Sequence, residues 1–338
     1  MASDKIRVGV VGVGGLARSV HLPSLAEIED VEVVAACDLR PERAAIAKDK
    51  FGIPKTYGWH TEMLAQEKLD AVFVLVEPHN LFEVTRDCLD ADLDVYMEKP
   101  PGITAFQAEA LMRRAQSKNR ILQVGFNRRY IPVVQRTMEI MKELTPITQV
   151  EGCFLKNGAA SFFGGSVSSF VSDSIHAVDL MRWMAGGTPV KCAIIQGQVE
   201  DEVPNSWNGV VGFDNGVTGI IKANYKTGGR IHTFEMHGPN ASAFINLGFG
   251  AMNVKAEILI HSGKAMYSAT AQGVQDQKHI VLDGFELAGS DKMYRYYGFY
   301  QEDKAFIDSV RTRTKPLSDI SEGVKSIQLV EMLLASAI

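Results

Sequence analysis

Short apolar segments alternate with helical segments over residues 1–125, and this alternation limits the chain to a few folds. The apolar segments are rich in β-branched residues without strict polar alternation, as expected of parallel strands covered on both faces. They lie at Ile6–Val11, Val31–Cys37, Ala71–Val76, Leu93–Met97 and Ile121–Val124. Between them, Pro41–Phe51 begins with proline and ends before Gly52, and Thr104–Gln116 begins at an N-capping residue type. The pattern predicts a doubly wound α/β domain with a parallel sheet.

Residues 126–338 show a different pattern, because strand candidates follow one another with few helices between them. Such strands pair in antiparallel fashion, and Asp214-Asn215-Gly216 carries the Asn-Gly signal of a tight hairpin. We therefore predict an α+β domain with a mainly antiparallel open sheet, an interrupting helix at Ser168–Met184, and C-terminal helices that pack back toward the first domain. The other predicted elements are strands at Thr148–Phe154, Val190–Val199, Trp207–Phe213, Val217–Asn224, Arg230–His237 and Ala241–Asn246, and helices at Val133–Lys142, Phe299–Val310 and Ser321–Ala335.

Composition narrows the class of protein. The 338 residues suffice for two domains, and a net charge of −5 without a basic patch argues against a nucleic-acid partner. The four cysteines lie far apart and match no metal-ligand spacing, so we expect free thiols and no metal site. No apolar run approaches the ~20 residues of a membrane span, and the first residues lack a signal-peptide pattern. We expect a cytoplasmic protein with no membrane partner.

The first strand runs into a glycine-rich turn. The segment contains G-x-G-x-x-A as Gly12, Gly14 and Ala17, with a strand before it and a helix after it. Gly12 permits the tight turn, Gly14 lets the backbone approach a pyrophosphate, and Ala17 allows close contact between helix and strand. The helix N-terminus then offers unpaired N–H groups to the phosphates. The turn predicts a Rossmann domain that binds a dinucleotide, with a different nucleotide as the alternative.

The second strand ends at Asp38, twenty-one residues after Ala17. An acidic residue at this place binds the ribose 2′-hydroxyl of NAD and repels the 2′-phosphate of NADP. Arg40 and Arg43 follow closely, and a cation here accommodates a 2′-phosphate. We therefore expect NAD as the cofactor and keep NADP as a possibility.

Lys99 lies in the segment Glu98-Lys99-Pro100, directly after the fifth strand candidate. Ligands of open α/β sheets bind outside the carboxyl ends of the strands, so Lys99 is placed to meet cofactor and substrate. Its ammonium group can stabilise a developing alkoxide or donate a proton. A solvated lysine at a strand end is the alternative interpretation.

His176 lies in the predicted helix Ser168–Met184, with Asp173 three residues before it. A spacing of three places both side chains on one helical face, where a carboxylate can orient the imidazole ring. This pair suits a base that removes a hydroxyl proton while hydride leaves the carbon. The alternative is a histidine that only packs or caps locally.

With these segments together, the chain resembles the glucose-fructose oxidoreductase / inositol dehydrogenase / MocA family along nearly its whole length. The resemblance rests on Gly12–Ala17, Asp38, Glu98-Lys99-Pro100, Gly125–Tyr130 and His176–Leu180. It implies that Lys99 and His176 are the catalytic pair and that substrates are sugars, inositols, related polyols or their keto forms. It also implies a homodimer or homotetramer formed through the sheet of the second domain.

The predicted sites follow from the motifs and the resemblance together. The expected catalytic residues are Lys99, His176 and Asp173. The expected cofactor contacts are Gly12, Gly14, Gly15, Leu16, Ala17, Asp38, Arg43, Val76, Pro78, Glu98 and Lys99. The expected substrate contacts are Lys99, Asn127, Arg128, Asp173 and His176, with specificity assigned to loops 156–169 and 272–295.

Two positions depart from the family pattern. Many members carry the catalytic aspartate four residues before the histidine, where this chain has Ser172 and offers Asp173 instead. Many also carry a histidine four residues after Pro78, where this chain has Phe82. The predicted reaction is NAD(P)-dependent hydride transfer from a secondary alcohol. The alternatives are an NAD-dependent glycosidase that uses transient oxidation and a catalytically silent sensor of the same fold.

Overall fold

The chain is divided into two units in the computed structural model, which describes residues 5–162, 166–249, 254–261 and 278–338. The first unit comprises Met1–Tyr130 and Lys292–Gln328, and the second comprises Ile131–Asp291 and Leu329–Ile338. These units differ from a division at residue 125, because Lys292–Gln328 belongs with the N-terminal residues. A functional domain boundary at residue 125 stays a prediction. Among the described residues, no helix has the length and apolar character that crossing a membrane requires.

The first unit is built on a six-stranded parallel sheet. The strands are β1 (Ile6–Val11), β2 (Val31–Cys37), β3 (Lys55–Tyr57), β4 (Ala71–Val74), β5 (Asp94–Met97) and β6 (Leu122–Val124). Their order, β3-β2-β1-β4-β5-β6, reverses between β1 and β4. A reversal of this kind opens a crevice at the carboxyl ends of the two strands, where dinucleotides bind. The predicted doubly wound α/β fold is confirmed.

Helices complete the first unit, at Leu22–Glu27, Pro41–Phe51, His60–Gln66, Pro78–Asp90, Ala105–Lys118, Met293–Tyr296 and Phe299–Thr312. A π-helical turn, Ala17–His21, precedes the first of them, and a 3-10 turn, Asn127–Tyr130, follows β6. Two predicted helix ends are confirmed, since Gly52 adopts the left-handed conformation after Phe51 and the Thr104 side chain accepts from Gln107 N. Phe306 and Ile307 of the C-terminal segment join the core that β1 and β4 form.

The second unit is built on an eight-stranded sheet and a separate pair of short strands. The strands are β7 (Gln149–Asn157), β8 (Ser161–Phe162), β9 (Val167–Ser168), β10 (Pro189–Gly197), β11 (Ser206–Phe213), β12 (Thr218–Asn224), β13 (Lys226–His237), β14 (Ala241–Phe249), β15 (Lys255–Ile260) and β16 (Lys278–Asp283). The order in the large sheet is β10-β11-β12-β7-β13-β14-β15-β16, and neighbouring strands pair antiparallel except β12 and β7, which pair parallel. The short strands β8 and β9 pair with each other. The predicted mainly antiparallel sheet is confirmed.

Helices Pro132–Leu144, Ile175–Ala185 and Gly284–Ala288 of the second unit pack against this sheet, and the short helix Ser169–Ser172 follows β9. The last helix of the chain, Ile320–Ala335, is divided between the units, with residues 320–328 in the first and 329–335 in the second. Helix Ile175–Ala185 lies directly against β7, since a Cβ built on Gly152 would lie in van der Waals contact with the Ala177 carbonyl oxygen, at 3.4 Å. The opposite face carries exposed apolar side chains, including Val210 and Phe244.

The predicted hairpin at Asp214-Asn215-Gly216 is confirmed. It joins β11 and β12, and Gly216 adopts φ +84°, which is a left-handed conformation that favours glycine. The Asn215 side chain accepts from Val217 N at 3.2 Å, so it closes the turn locally.

The prediction of one continuous helix over Ser168–Met184 is wrong. Helix Ser169–Ser172 ends at Asp173, whose backbone leaves the helical region at φ −135° and ψ −50°. A new helix begins at Ile175, and His176 N donates to the Asp173 carbonyl at 3.1 Å. His176 therefore lies in the first turn of a helix and Asp173 lies in the preceding turn. A spacing of three does not place them on one helical face.

Glu27, at the end of helix Leu22–Glu27, forms hydrogen bonds with the segment that begins at Lys292. Its carboxylate accepts from the Tyr294 hydroxyl at 2.5 Å, from Arg295 Nε at 2.8 Å and from Lys292 Nζ at 3.0 Å. Burial raises the pKa of Glu27, but these three donors outweigh burial and lower the pKa to about 2. The carboxylate therefore stabilises the fold above its unfolded pKa of about 4.5, and this contribution is lost as pH falls toward 2.

We expect Glu27→Gln to lower the free energy of unfolding at pH 7 by about 1–2 kcal/mol, since the surrounding cations are partly solvated. The deficit should shrink as pH falls from about 4.5 toward 2, where the wild-type carboxylate is itself protonated. Denaturant unfolding at several pH values measures it, with the exposed Glu29→Gln as matched control. Equal stability of Glu27→Gln and wild type at pH 7 would contradict the assignment.

Candidate functional site

The glycine turn between β1 and the first helix lies in the crevice where the strand order reverses. Gly12 adopts φ +89°, and a Cβ at this residue would lie 2.5 Å from the Leu75 carbonyl oxygen and 3.2 Å from Val76 Cγ1. At Gly12 the segments that follow β1 and β4 therefore lie too close together for any residue with a side chain. The predicted residues Gly12 and Val76 are neighbours, and Pro78 begins the helix that follows Val76.

Asp38 fixes the turn from the end of β2. Its carboxylate is buried, and it accepts from Val13 N at 3.0 Å and from Arg40 N at 2.9 Å. Each carboxylate oxygen retains a second lone pair, so these bonds leave capacity for a ribose hydroxyl. Asp38 therefore joins the glycine turn to the strand end at which a ribose would bind.

The remaining predicted cofactor residues of this region surround an open space at the start of a helix. A Cβ at Gly14 would meet only Arg43 Nη1, at 3.6 Å, and a Cβ at Gly15 would meet no atom within 4 Å. Leu16 is partly exposed, while Ala17 is buried as the motif requires. The space beside Gly14 and Gly15, the adjacent cation and the helix N-terminus together fit a pyrophosphate.

We expect Gly12→Ala to destabilise the protein by about 3 kcal/mol or more, because the new methyl group collides with the Leu75 carbonyl and alanine disfavours φ +89°. Thermal unfolding measures the loss. Gly58→Ala is the matched control, because a Cβ there meets no atom within 4 Å and no left-handed backbone is involved. A Gly12→Ala protein as stable as Gly58→Ala would show that the turn is not sterically constrained.

Glu98 and Lys99 follow β5 at the carboxyl edge of the same sheet. Glu98 is buried, and its Oε1 lies 3.2 Å from Nε2 of His21. Its other oxygen, Oε2, accepts from Lys99 N at 3.1 Å. The Lys99 side chain is half-buried. Glu98 thus binds the backbone N–H of Lys99, the candidate catalytic lysine, and the buried His21 contacts Glu98.

Asn127 and Arg128 lie in the 3-10 turn after β6, and both are buried. The Asn127 amide donates to the Tyr297 carbonyl at 2.9 Å. Next to them, Arg129 is fully buried and donates to the Leu317 carbonyl at 3.0 Å. The Asn127 contact anchors the C-terminal segment of the first unit, and substrate contacts of Asn127 and Arg128 stay predictions.

Asp173 and His176 lie in the second unit on either side of the break between two helices. Oδ2 of Asp173 forms an ion pair with Lys156 and accepts from the Tyr225 hydroxyl at 3.0 Å. The same hydroxyl lies 3.1 Å from Ser174 Oγ. His176 is half-buried. The turn before His176 is therefore fixed by a small polar cluster, defined as Lys156, Asp173, Ser174 and Tyr225.

Sequence reasoning did not single out Lys156, Tyr225 or His21 as site residues. Lys156 lies in β7 and Tyr225 lies between β12 and β13, both far from Asp173 in sequence, so helical spacing could not reveal them. Lys156 follows two apolar residues near the end of a strand, which was the available signal. Residues 163–165 and 272–277 of the predicted specificity loops lie outside the described residues.

Among the residues that the structure describes, Glu151, Glu235 and His237 are the set whose possible metal-ligand atoms lie within 4.8 Å of one another. They lie on the sheet of the second unit, where Glu151 and Glu235 are cross-strand partners. Lys222 Nζ lies 3.2 Å from Glu151 Oε2, and His237 Nε2 lies 3.2 Å from Glu235 Oε2. These pairs account for the cluster as a charge-paired surface, and the absence of a metal requirement stays a prediction.

Comparison with known proteins identifies the family. A model described as the oxidoreductase family with an NAD-binding Rossmann fold matches residues 6–126, and one described as the GFO/IDH/MocA C-terminal domain matches residues 155–244. The chain belongs to the glucose-fructose oxidoreductase / inositol dehydrogenase / MocA family. The resemblance inferred from the motifs is confirmed, and the family's first domain is of the NAD-binding type.

Similar proteins include named dehydrogenases. Myo-inositol 2-dehydrogenase of Thermotoga maritima is 25% identical over 54% of this chain and 55% of its own length. D-glucoside 3-dehydrogenase of Escherichia coli is 31% identical over 41% of this chain and 40% of its own length. The matches thus span about half the length of these relatives. A dehydrogenase from Chromobacterium violaceum superposes with a TM-score of 0.86 at 20% identity, over 99% of this chain and 96% of that one, which shows a shared fold.

Proposed function

We propose that the protein is an NAD(P)-dependent dehydrogenase acting on a secondary alcohol of a sugar, an inositol or a related polyol, or on the keto form in reverse. Membership of an NAD-binding oxidoreductase family supports the reaction class. The names of its relatives, inositol and glucoside dehydrogenases, support the substrate class.

The observation that carries the proposal is the glycine turn at the reversal of strand order. Gly12 allows the segment after β4 to lie against the turn. Asp38 accepts hydrogen bonds from the ribose hydroxyls, and Arg43 and the helix N-terminus face the pyrophosphate. Asp38 supports NAD over NADP, because its charge repels a 2′-phosphate. The remaining contacts are those of Gly14, Gly15, Leu16, Ala17, Val76, Pro78, Glu98 and Lys99. The bound nicotinamide supplies the acceptor or donor of hydride.

Lys99 is proposed to polarise the reacting oxygen. It follows a strand at the carboxyl edge of the parallel sheet, where ligands of this fold bind. Its backbone N–H is held by Glu98, so the origin of the side chain is fixed. An ammonium group stabilises negative charge that develops on the substrate oxygen when that oxygen loses its proton.

His176 is proposed as the general base that takes the hydroxyl proton. Its helix begins directly after the polar cluster of Lys156, Asp173, Ser174 and Tyr225, which fixes the backbone at that turn. Asp173 is proposed to orient the imidazole through this turn rather than across one helical face. Asn127 and Arg128 remain proposed substrate contacts of the first unit.

We expect Lys99→Ala and His176→Ala each to lower kcat by about 10²–10⁴-fold on a substrate found by screening sugars and polyols with NAD⁺. NADH formation followed at 340 nm measures this. Lys304→Ala and His261→Ala are matched controls, because both side chains are exposed.

Two outcomes would count against the proposal. Turnover unchanged in both variants would remove Lys99 and His176 from the chemistry. Release of sugar from a glycoside without accumulation of NADH would favour the glycosidase alternative, in which the alcohol is oxidised only transiently.

A homodimer or homotetramer through the sheet of the second unit is also proposed. One face of that sheet carries exposed apolar side chains on strands β10, β11, β14 and β16, at Ile195, Val210, Phe244 and Val281. These four side chains lie on the face of the sheet opposite the helices, and this is the face that a partner is proposed to cover. A second copy of the chain is the proposed partner.

A further inference from the structure

His21 is a buried histidine of the first unit that the proposed reaction does not use. It ends the π-helical turn Ala17–His21, in which Leu22 N donates to the Ala17 carbonyl, five residues back. A widened turn of this kind inside a helix frequently marks a functional position. The ring has no solvent exposure and lies against Phe73, Tyr96 and Phe299, with centroids 5.3–6.2 Å away.

Both nitrogens of the His21 ring face carboxylates. Nδ1 lies 2.9 Å from Asp303 Oδ1 and 3.2 Å from Oδ2, and Nε2 lies 3.2 Å from Glu98 Oε1. A neutral imidazole has one N–H and one lone pair, so it would direct a lone pair at one carboxylate. Only the imidazolium donates to both, so the geometry favours the charged form as long as both carboxyls are ionised.

The surrounding charges support the same protonation state. Burial lowers the pKa of His21, but the carboxylates of Asp303 and Glu98 outweigh burial and raise the pKa to about 10. The nearby Glu302 carboxyl is also buried, and burial together with Glu98 and Asp303 holds its pKa well above the usual range. Tyr96 donates to Glu302 at 2.8 Å. Burial, and then the nearby carboxylates, raise the pKa of the Tyr96 hydroxyl, which stays neutral.

Glu98 connects this cation to Lys99. One oxygen of Glu98 binds the imidazolium and the other accepts from Lys99 N at 3.1 Å. Free space around this carboxylate is small, since a Cβ on Gly125 would lie 3.2 Å from Glu98 Oε1 and 2.8 Å from the Tyr96 hydroxyl. Glu98 Oε1 is therefore confined between Gly125 and the His21 ring, which leaves the imidazole as its hydrogen-bond partner on that side.

We propose that the buried His21 imidazolium is a positioning residue, whose charge holds Glu98 against the backbone of Lys99 and thereby sets the direction of the Lys99 side chain. The proposal concerns catalysis only insofar as Lys99 acts as stated under Proposed function. The contact between His21 and Glu98 also connects the helix that starts at the glycine turn to the end of β5, because His21 lies in that helix.

The test uses Asp303→Asn, which removes one of the two anions that keep His21 charged and leaves the ring in place. With Glu98 as the remaining carboxylate, the pKa of His21 should fall toward its ordinary value of about 6.5. Asp308→Asn is the matched control, because Asp308 lies on the same helix and pairs with Lys304 at the surface. Circular dichroism verifies that each variant is folded.

Two readouts separate charge from mere packing. ¹⁵N NMR of the imidazole should show both His21 nitrogens protonated from pH 6 to 9 in wild type and Asp308→Asn, and a titration in Asp303→Asn. The Lys99 amide resonance should shift with the same pKa only in Asp303→Asn. With a substrate that the enzyme converts, the ratio of the Asp303→Asn kcat to the wild-type kcat should fall about tenfold as pH rises through that pKa. The Kd of NADH should change less than about threefold.

A wild-type ring with one unprotonated nitrogen at pH 7 would overturn the proposal without reference to activity. So would a titration of His21 in Asp303→Asn that leaves the Lys99 amide unmoved. If both NMR results hold but Lys99→Ala retains full turnover, the positioning stands and the proposed role of Lys99 fails, so the two failures are distinguishable.

Discussion

The close approach of the chain after β1 to the chain after β4 is the constraint on which the candidate cofactor site depends. Only a residue without a side chain fits at position 12, because a Cβ would lie 2.5 Å from the Leu75 carbonyl. Asp38 then fixes the turn by accepting from Val13 N. The turn places the start of a helix, an aspartate and an arginine around one space, and these are the groups that a dinucleotide requires.

The same helix carries the second constraint, since its π-helical turn buries His21 between Asp303 and Glu98. A buried charge is tolerated only when it is paired, and here one cation serves two carboxylates from different parts of the chain. The pairing connects the helix after the glycine turn, the end of β5 and helix Phe299–Thr312. The proposed phosphate site and the proposed positioning of Lys99 thus rest on adjoining elements of the first unit.

Local signals explain which features the sequence could predict. Pro41–Phe51 begins and ends at the predicted residues because proline and glycine act on their own backbone, and Asn215-Gly216 closes its hairpin for the same reason. Helical periodicity could not show the break at Asp173, because spacing carries no information on whether each N–H bonds four residues back. The role of His21 could not be predicted, because its partner Asp303 lies 282 residues away. The ion pair of Lys156 with Asp173 could not be predicted, because it depends on the sheet register.

The most direct test of the account is a fluorescence titration of the protein with NADH and with NADPH, carried out on wild type and on Asp38→Ala. We expect wild type to bind NADH more tightly than NADPH and Asp38→Ala to lose this preference, because the charge that repels a 2′-phosphate is gone. Tighter binding of NADPH by wild type would contradict the role given to Asp38. Failure to bind either cofactor would contradict the account of the glycine turn from which the proposed reaction follows.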